Sequence, residues 1–259
     1  MAALFWLALK NQWSAQMRRP IEFVSSLIAL ILNNSFYLYG IYLLAILSHE
    51  GDSFAKKEYL MSTGMVLTSW GLLNVLAGGL FELCTLIETG GLETFLAKPR
   101  PPLLLVAISK SNVVSIGEII QGISTLILVA VIYGFAPSLR ALASSVILAF
   151  AFAGIVILIG SLSFISSRGG QLSYVLLNVI LTLSLFPISR ALQGREKWIL
   201  YLSPLLLTAT LPRLAALGGD IMTFVIFIFA TSGLFAASIM VFKVGLESYK
   251  ATNYIVLNE

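Results

Sequence analysis

The order of apolar and polar residues along the chain predicts a series of membrane-spanning helices. Apolar runs of about 20 residues or more, the length of one helical bilayer crossing, alternate with short segments that hold the charges and prolines. We place six spans, at residues 21–47, 60–86, 112–135, 141–166, 172–192 and 221–245. The predicted fold is therefore an all-α integral membrane protein with six transmembrane helices.

The residues before the first span predict a helix that lies in the membrane interface. Over residues 2–19 the apolar side chains, Trp6 and Trp13 among them, share one side of a helix, and Lys10 and Arg18 share the other. This amphipathic pattern is typical of helices buried part-way into the headgroup layer. Because no linker long enough to separate folded units follows, residues 1–259 are predicted to form a single transmembrane domain.

The segment between the second and third spans predicts a short amphipathic helix. Gly90 and Gly91 allow a turn out of the second span, and Pro99 stops the helix. The apolar residues between them share one helix face: Leu92, Phe95 and Leu96. Glu93 near the start and Lys98 near the end suit the helix dipole. We expect a helix of about two turns, whose apolar face either enters a groove on a partner or lies on its own membrane domain.

Polar residues inside the spans predict a lined translocation path. Glu118 lies deep enough in the third span for its burial to be costly, which is typical of functional positions. The other candidates lie on the same side of that span or on a polar strip of the first span: Asn33, Tyr37, Asn112, Ser115 and Gln121. The alternative for each residue is an interhelical hydrogen bond, worth about 0.6 kcal/mol on average.

Three glycines of the second span, Gly64, Gly71 and Gly78, recur every seven residues. A groove of small residues lets another helix approach closely, so this stripe predicts tight packing within the subunit or an interface between two subunits. Glu82 lies near the end of the same span, where either Arg18 or Lys110 is a possible ion-pair partner.

The composition excludes a soluble globular fold, and the residue types present disfavour disulfides, metal sites and catalysis. Of the 259 residues 58% are hydrophobic and 11% charged, against about 45–50% and about 25% in soluble domains. One cysteine, Cys84, and one histidine, His49, leave no intrachain disulfide framework and no predicted metal site. The chain has no phosphate-binding loop of the Gly-x-x-x-x-Gly-Lys-Ser/Thr type and no catalytic set, so we expect neither an enzyme nor a bound cofactor.

The net charge of +4 is dispersed along the chain, which favours contact with anionic lipid over nucleic acid.

The basic residues nearest the first span predict the orientation in the membrane. Arg18 and Arg19 lie directly before this span, whereas Lys56 and Lys57 are more distant from its other end and are diluted by acidic residues. Positive charge favours the cytoplasmic side. Both termini are therefore predicted to be cytoplasmic, together with the segment between the second and third spans.

The arrangement of these elements resembles the membrane subunits of type-2 ABC exporters, the ABC-2-like permeases. The resemblance covers the whole chain as architecture, and its local motif is Gly90 to Pro99. It implies a permease of the cell membrane that pairs with an identical or related permease and with two soluble ATPase subunits, which would hold ATP and Mg. It also implies an ATPase-coupling helix that contains Glu88, Gly91, Leu92, Glu93, Phe95, Leu96 and Lys98. The alternative function is a secondary carrier or channel without an ATPase partner.

Overall fold

A computed structural model describes residues 2–48, 53–165, 169–185, 206–218 and 220–256. Within these ranges the regular elements are helical. The first six α-helices are α1 (Ala2–Met17), α2 (Pro20–Ser48), α3 (Ser53–Ala77), α4 (Leu83–Glu88), α5 (Glu93–Leu96) and α6 (Pro102–Ala107). The remaining five are α7 (Ile116–Tyr133), α8 (Phe135–Ser161), α9 (Gly169–Leu185), α10 (Leu211–Gly218) and α11 (Ile221–Val256).

Short segments of other helix types connect several of these elements. Between α3 and α4 the chain forms a 3₁₀-helix, Gly78–Glu82, so the second span is continuous but changes its helical geometry near one end. Two further 3₁₀-helices, Val113–Ser115 and Leu162–Phe164, lie at the start of α7 and the end of α8. A π-helical turn, Leu206–Thr210, leads directly into α10 without a break at Pro212.

The all-α membrane fold is confirmed. In the described part of the chain five helical segments are long and apolar enough to cross a bilayer: Pro20–Gly40, Lys56–Glu88, Val113–Tyr133, Phe135–Phe164 and Ile221–Tyr249. The remaining predicted span, 172–192, corresponds to α9, whose apolar part Leu172–Leu185 is shorter, while residues 186–192 lie outside the described ranges. The count of six spans stays a prediction.

The connection between the third and fourth spans is shorter than predicted. We expected a loop over residues 136–140, but α8 already begins at Phe135, and Gly134 alone joins it to α7. Gly134 has a φ of 100°, a conformation that side chains with a Cβ rarely adopt. Pro137 is accommodated because it lies in the first turn of α8, where its missing N–H leaves no hydrogen bond unmade.

The core of the bundle lies between α3 and α8. Half of the second span and 61% of the α8 span are buried in the chain, against 6% of the first span, α2. Trp70 of α3 joins these two helices through an edge contact with Phe152 of α8, at a centroid distance of 5.3 Å, and it also contacts Phe81 of the 3₁₀-helix at 5.1 Å. Consequently α2 lies at the periphery, where lipid or a further subunit surrounds most of its surface.

The bundle has two ends, which we name by their connections. Residues 88–112, called the connector here, mark the connector end, and Gly134 marks the Gly134 end. At the Gly134 end Arg213 of α10 is buried, and its Nε donates a hydrogen bond to Ser62 Oγ at 2.9 Å. This contact attaches α10 to α3.

Candidate functional site

The connector turns sharply and then forms a helix shorter than predicted. After α4 ends at Glu88, Gly90 adopts a φ of 74° and the Leu92 N–H donates to Leu86 O at 2.9 Å. This turn uses the residues that we expected to form the first helical turn. Only Glu93–Leu96 are α-helical, about one turn instead of two, and Pro99 prevents a longer helix.

The apolar face of α5 packs on its own chain. Leu92 is fully buried, and Phe95 and Leu96 are half-buried against the hydrophobic core. This packing corresponds to the second of the two arrangements considered for the segment. The exposed residues of α5 and its C-terminal end are polar or small: Glu93, Thr94, Ala97 and Lys98. A partner that reaches α5 would therefore meet this polar face.

The side chain of Glu88, the last residue of α4, contacts the start of α9. Its Oε1 accepts a hydrogen bond from the Gly170 N–H at 2.7 Å, within the first turn of α9. A carboxylate in this position satisfies a free N–H and interacts favourably with the helix dipole. A Cβ at Gly170 would lie 3.1 Å from Glu88 Oε2, so the glycine permits the approach. Glu88 thus links the connector to α9, through a residue 82 positions further along the chain.

The returning part of the connector is anchored to the neighbouring elements. Gln12 Nε2 of α1 donates to Ser109 O at 2.9 Å, and the Asn112 N–H donates to Asn74 O of α3 at 3.1 Å. Lys110 forms an ion pair with Glu82, which selects one of the two partners left open by the sequence. The connector is therefore in contact with α1, α3 and α9.

A cavity of about 60 Å³ lies within the membrane-spanning part, between α2, α3, α7 and α9. Most of its walls are apolar. Its lining residues are Asn34, Tyr37, Leu38, Val66, Leu67, Trp70, Glu118, Leu181 and Leu185. The oxygen-bearing side chains of the lining, Asn34, Tyr37 and Glu118, come from α2 and α7, so these two helices supply its hydrogen-bond acceptors.

Glu118 is the acidic residue that lines this cavity. It is 8% exposed, and the side chains of Ser115 and Asn34 form hydrogen bonds with its carboxyl group. Its Oε2 atom is buried and has no hydrogen-bond partner among the residues that the structure describes. Beside it, the Tyr37 hydroxyl hydrogen-bonds to Thr182 of α9. Glu118 therefore retains an unused acceptor inside an apolar enclosure.

The structure brings together some of the predicted path residues. Tyr37 and Glu118 line the cavity, and Ser115 supports Glu118. Gln121 instead donates to Ser35 Oγ at 3.0 Å. The other two, Asn33 and Asn112, are exposed and do not line the cavity.

Sequence reasoning missed Asn34 and Trp70. The three-residue spacing from Asn34 to Tyr37 on one helix was the available signal for Asn34, whereas nothing in the sequence marked Trp70. The cavity depends on which helices are neighbours, and this information comes only from the fold.

A comparison with protein families identifies the chain. The family described as ABC-2 family transporter protein matches residues 26–253. This chain belongs to the ABC-2 transporter family. No curated protein and no solved structure matches it. The family confirms the resemblance drawn from the sequence: the chain is an ABC-2 permease, a multi-pass and non-catalytic membrane component of an ABC transporter.

The glycine stripe of this ABC-2 permease packs inside the chain. A Cβ at Gly64 would lie 2.7 Å from Leu126, and one at Gly71 would lie 2.9 Å from the Ser115 carbonyl oxygen. Gly78 faces the connector, where a Cβ would lie 3.1 Å from Lys110 O. The stripe therefore lets α3 approach α7 and the connector, and α7 occupies the space that a second subunit would need at Gly64 and Gly71.

Proposed function

We propose that this chain is the permease subunit of an ATP-driven exporter, in which the connector docks an ATPase and the cavity forms part of the translocation path. The observation that carries this proposal is the series of contacts from α5 through Glu88 and α9 to the cavity. Family membership supports the same function, because transporters of this class work with ATPase partners.

The contacts suggest how movement at the connector reaches the cavity. The turn 89–92 separates Glu88 from α5, and Glu88 accepts a hydrogen bond from Gly170 in the first turn of α9. From there α9 continues to Leu181 and Leu185, which line the cavity. A helix is stiff over this distance, about 16 Å from Gly170 to Leu181. A displacement of the connector therefore shifts one wall of the cavity and alters the contact between Thr182 and Tyr37.

The proposed assembly contains two permeases, identical or related, and two soluble ATPase subunits that hold ATP and Mg. It lies in the cell membrane with the connector and both termini in the cytoplasm. The substrate moves outward, and the mainly apolar cavity favours an amphipathic or lipidic molecule over an inorganic ion. This chain itself binds no nucleotide.

The docking role of α5 can be tested by enlarging its exposed face. Ala97→Trp places a bulky side chain beside Thr94 and Lys98 without altering the buried Leu92. We expect the variant to fold but to lose co-purification with its ABC ATPase partner. The matched control is Ala136→Trp, an exposed alanine at the Gly134 end, which should retain the ATPase.

Retained association of Ala97→Trp with the ATPase would contradict the docking role of α5.

The second candidate function, a secondary carrier without an ATPase, is favoured by the buried carboxyl group of Glu118, because such groups occur in ion-coupled carriers. Undiminished substrate export in cells that lack the ATPase would support the carrier.

A further inference from the structure

Glu118, the acidic residue that lines the cavity, has one carboxyl oxygen without a hydrogen-bond partner among the described residues. Glu118 Oε2 is buried and without a hydrogen-bond partner in the described part of the chain. An ionised carboxylate in such surroundings is costly unless a cation pairs with it. Among the described residues that line the cavity none is basic, and the basic residue nearest in sequence, Lys110, pairs with Glu82. An ionised Glu118 would therefore need a cation from outside the lining residues.

The other polar groups of the cavity are suited to a cationic head. Asn34 supplies an amide oxygen and Tyr37 a phenolic oxygen, and both line the cavity with Glu118. An ammonium group has three donors, which matches a carboxylate and two neutral acceptors. Trp70 adds an aromatic surface of the kind that attracts cations, and its contacts with Phe81 and Phe152 hold it in place.

The size of the cavity limits what can enter. A volume of about 60 Å³ is room for a few water molecules, so it accepts a small head group and not a whole amphiphile. An apolar tail has an exit beside α2, because this span is only 6% buried and Tyr37 is 44% exposed. The geometry therefore favours a small charged head attached to a tail that remains in the hydrocarbon layer.

We propose that Glu118 binds the ammonium head of a primary amphiphilic amine, so that the substrates of this permease include long-chain alkylammonium compounds. This inference rests on the proposed function, since it names the class of molecule that the translocation path takes. In the complex one ammonium N–H donates to the Glu118 carboxylate, and the Asn34 and Tyr37 oxygens accept hydrogen bonds from the other two. The Leu181 and Leu185 side chains of α9 border the same cavity, so a shift of α9 would disturb the bound head.

The test measures binding of radiolabelled dodecylamine, which is protonated at neutral pH, to the purified full chain in zwitterionic lipid nanodiscs. Dodecanol, which has the same tail and a neutral head, is the matched probe, and empty nanodiscs correct for partition into lipid. We expect saturable binding of dodecylamine and none of dodecanol. Glu118→Gln should weaken dodecylamine binding at least tenfold. The control Glu22→Gln, an exposed carboxylate of α2 that pairs with Arg19, should bind like the wild type.

Several outcomes would overturn the inference: no saturable binding by the wild type, equal binding of dodecanol, or unchanged binding by Glu118→Gln. If gel filtration shows that Glu118→Gln does not fold, Asn34→Leu replaces it and should weaken binding several-fold. Association with the ATPase is measured on the same preparations. If the wild-type protein binds the amine but does not associate with the ATPase, the coupling role is contradicted and the amine site is not. If it associates with the ATPase but does not bind the amine, the amine site alone is contradicted.

Discussion

At the scale of single residues, the contact between Gly122 and Thr68 shows how closely α7 and α3 approach. A Cβ at Gly122 would lie 2.4 Å from Thr68 Oγ1 and 2.6 Å from the Thr68 backbone nitrogen. Such distances are too short for any side chain. Because part of the obstacle is backbone, the helices would have to separate to accept even a methyl group.

Gly122→Ala should therefore destabilise the protein. Overpacking of this kind typically costs about 1–3 kcal/mol, and we expect a lower midpoint of thermal unfolding in detergent. The control is Gly233→Ala in α11, where nothing lies within 4 Å of an added Cβ. There the higher helix propensity of alanine should leave stability unchanged or raise it by up to about 1 kcal/mol. Equal effects of the two substitutions would contradict the close α3–α7 packing.

Residue types and helical spacing selected Glu118 and Tyr37 as candidates, and both line the cavity, whereas Asn34, which also lines it, was not selected. A charged residue in a span is informative by itself, because its burial is expensive wherever the helix lies. The choice between Asn33 and Asn34 depends on the rotation of α2 about its axis, and α2 is only weakly amphipathic. Its rotation follows from contacts with α3 and α7, which the sequence does not specify.

At the scale of the elements, the attachment of α9 to Glu88 determines where this helix begins. The Gly170 N–H is one of the donors that a helix start leaves without an intrahelical partner. Loss of a capping carboxylate typically costs about 1 kcal/mol. Within α9 the effect should be confined to the first turn, where the Gly170 N–H donates to Glu88.

Glu88→Ala should accordingly speed amide hydrogen exchange over residues 170–173 about fivefold, as a change of about 1 kcal/mol implies. Exchange mass spectrometry of the permease in nanodiscs measures it. In the control Glu22→Ala, which alters the start of α2, exchange in α9 should not change. Unchanged protection in Glu88→Ala would mean that the carboxylate does not hold α9.

The existence of α5 could be predicted from the sequence, but its length could not. Its apolar repeat and Pro99 gave the position correctly, whereas the turn around Gly90 takes the residues before Glu93 out of the helix. The face exposed to a partner was also not predictable. It depends on whether Leu92 meets a foreign groove or the core of its own chain, and both satisfy the same hydrophobic pattern.

At the scale of the whole molecule, the two ends of the bundle should face opposite sides of the membrane. Single cysteines introduced at exposed positions, Thr94→Cys in the connector and Ala136→Cys beside Gly134, report this directly because the native Cys84 is buried. A membrane-impermeant maleimide should label Ala136→Cys in intact cells and Thr94→Cys only after permeabilisation. Labelling of Thr94→Cys in intact cells would reverse the proposed orientation.

The single residue between α7 and α8 has a consequence for how such a bundle can change shape. Because Gly134 is the single residue between α7 and α8, these two helices form a tight hairpin. Among the five described candidate spans, the α8 span is also the most buried. If the protein alternates between inward-facing and outward-facing states, α7 and α8 should therefore move together as one rigid pair. Changes in helix packing should occur where this pair meets other helices, for example the sparsely buried α2.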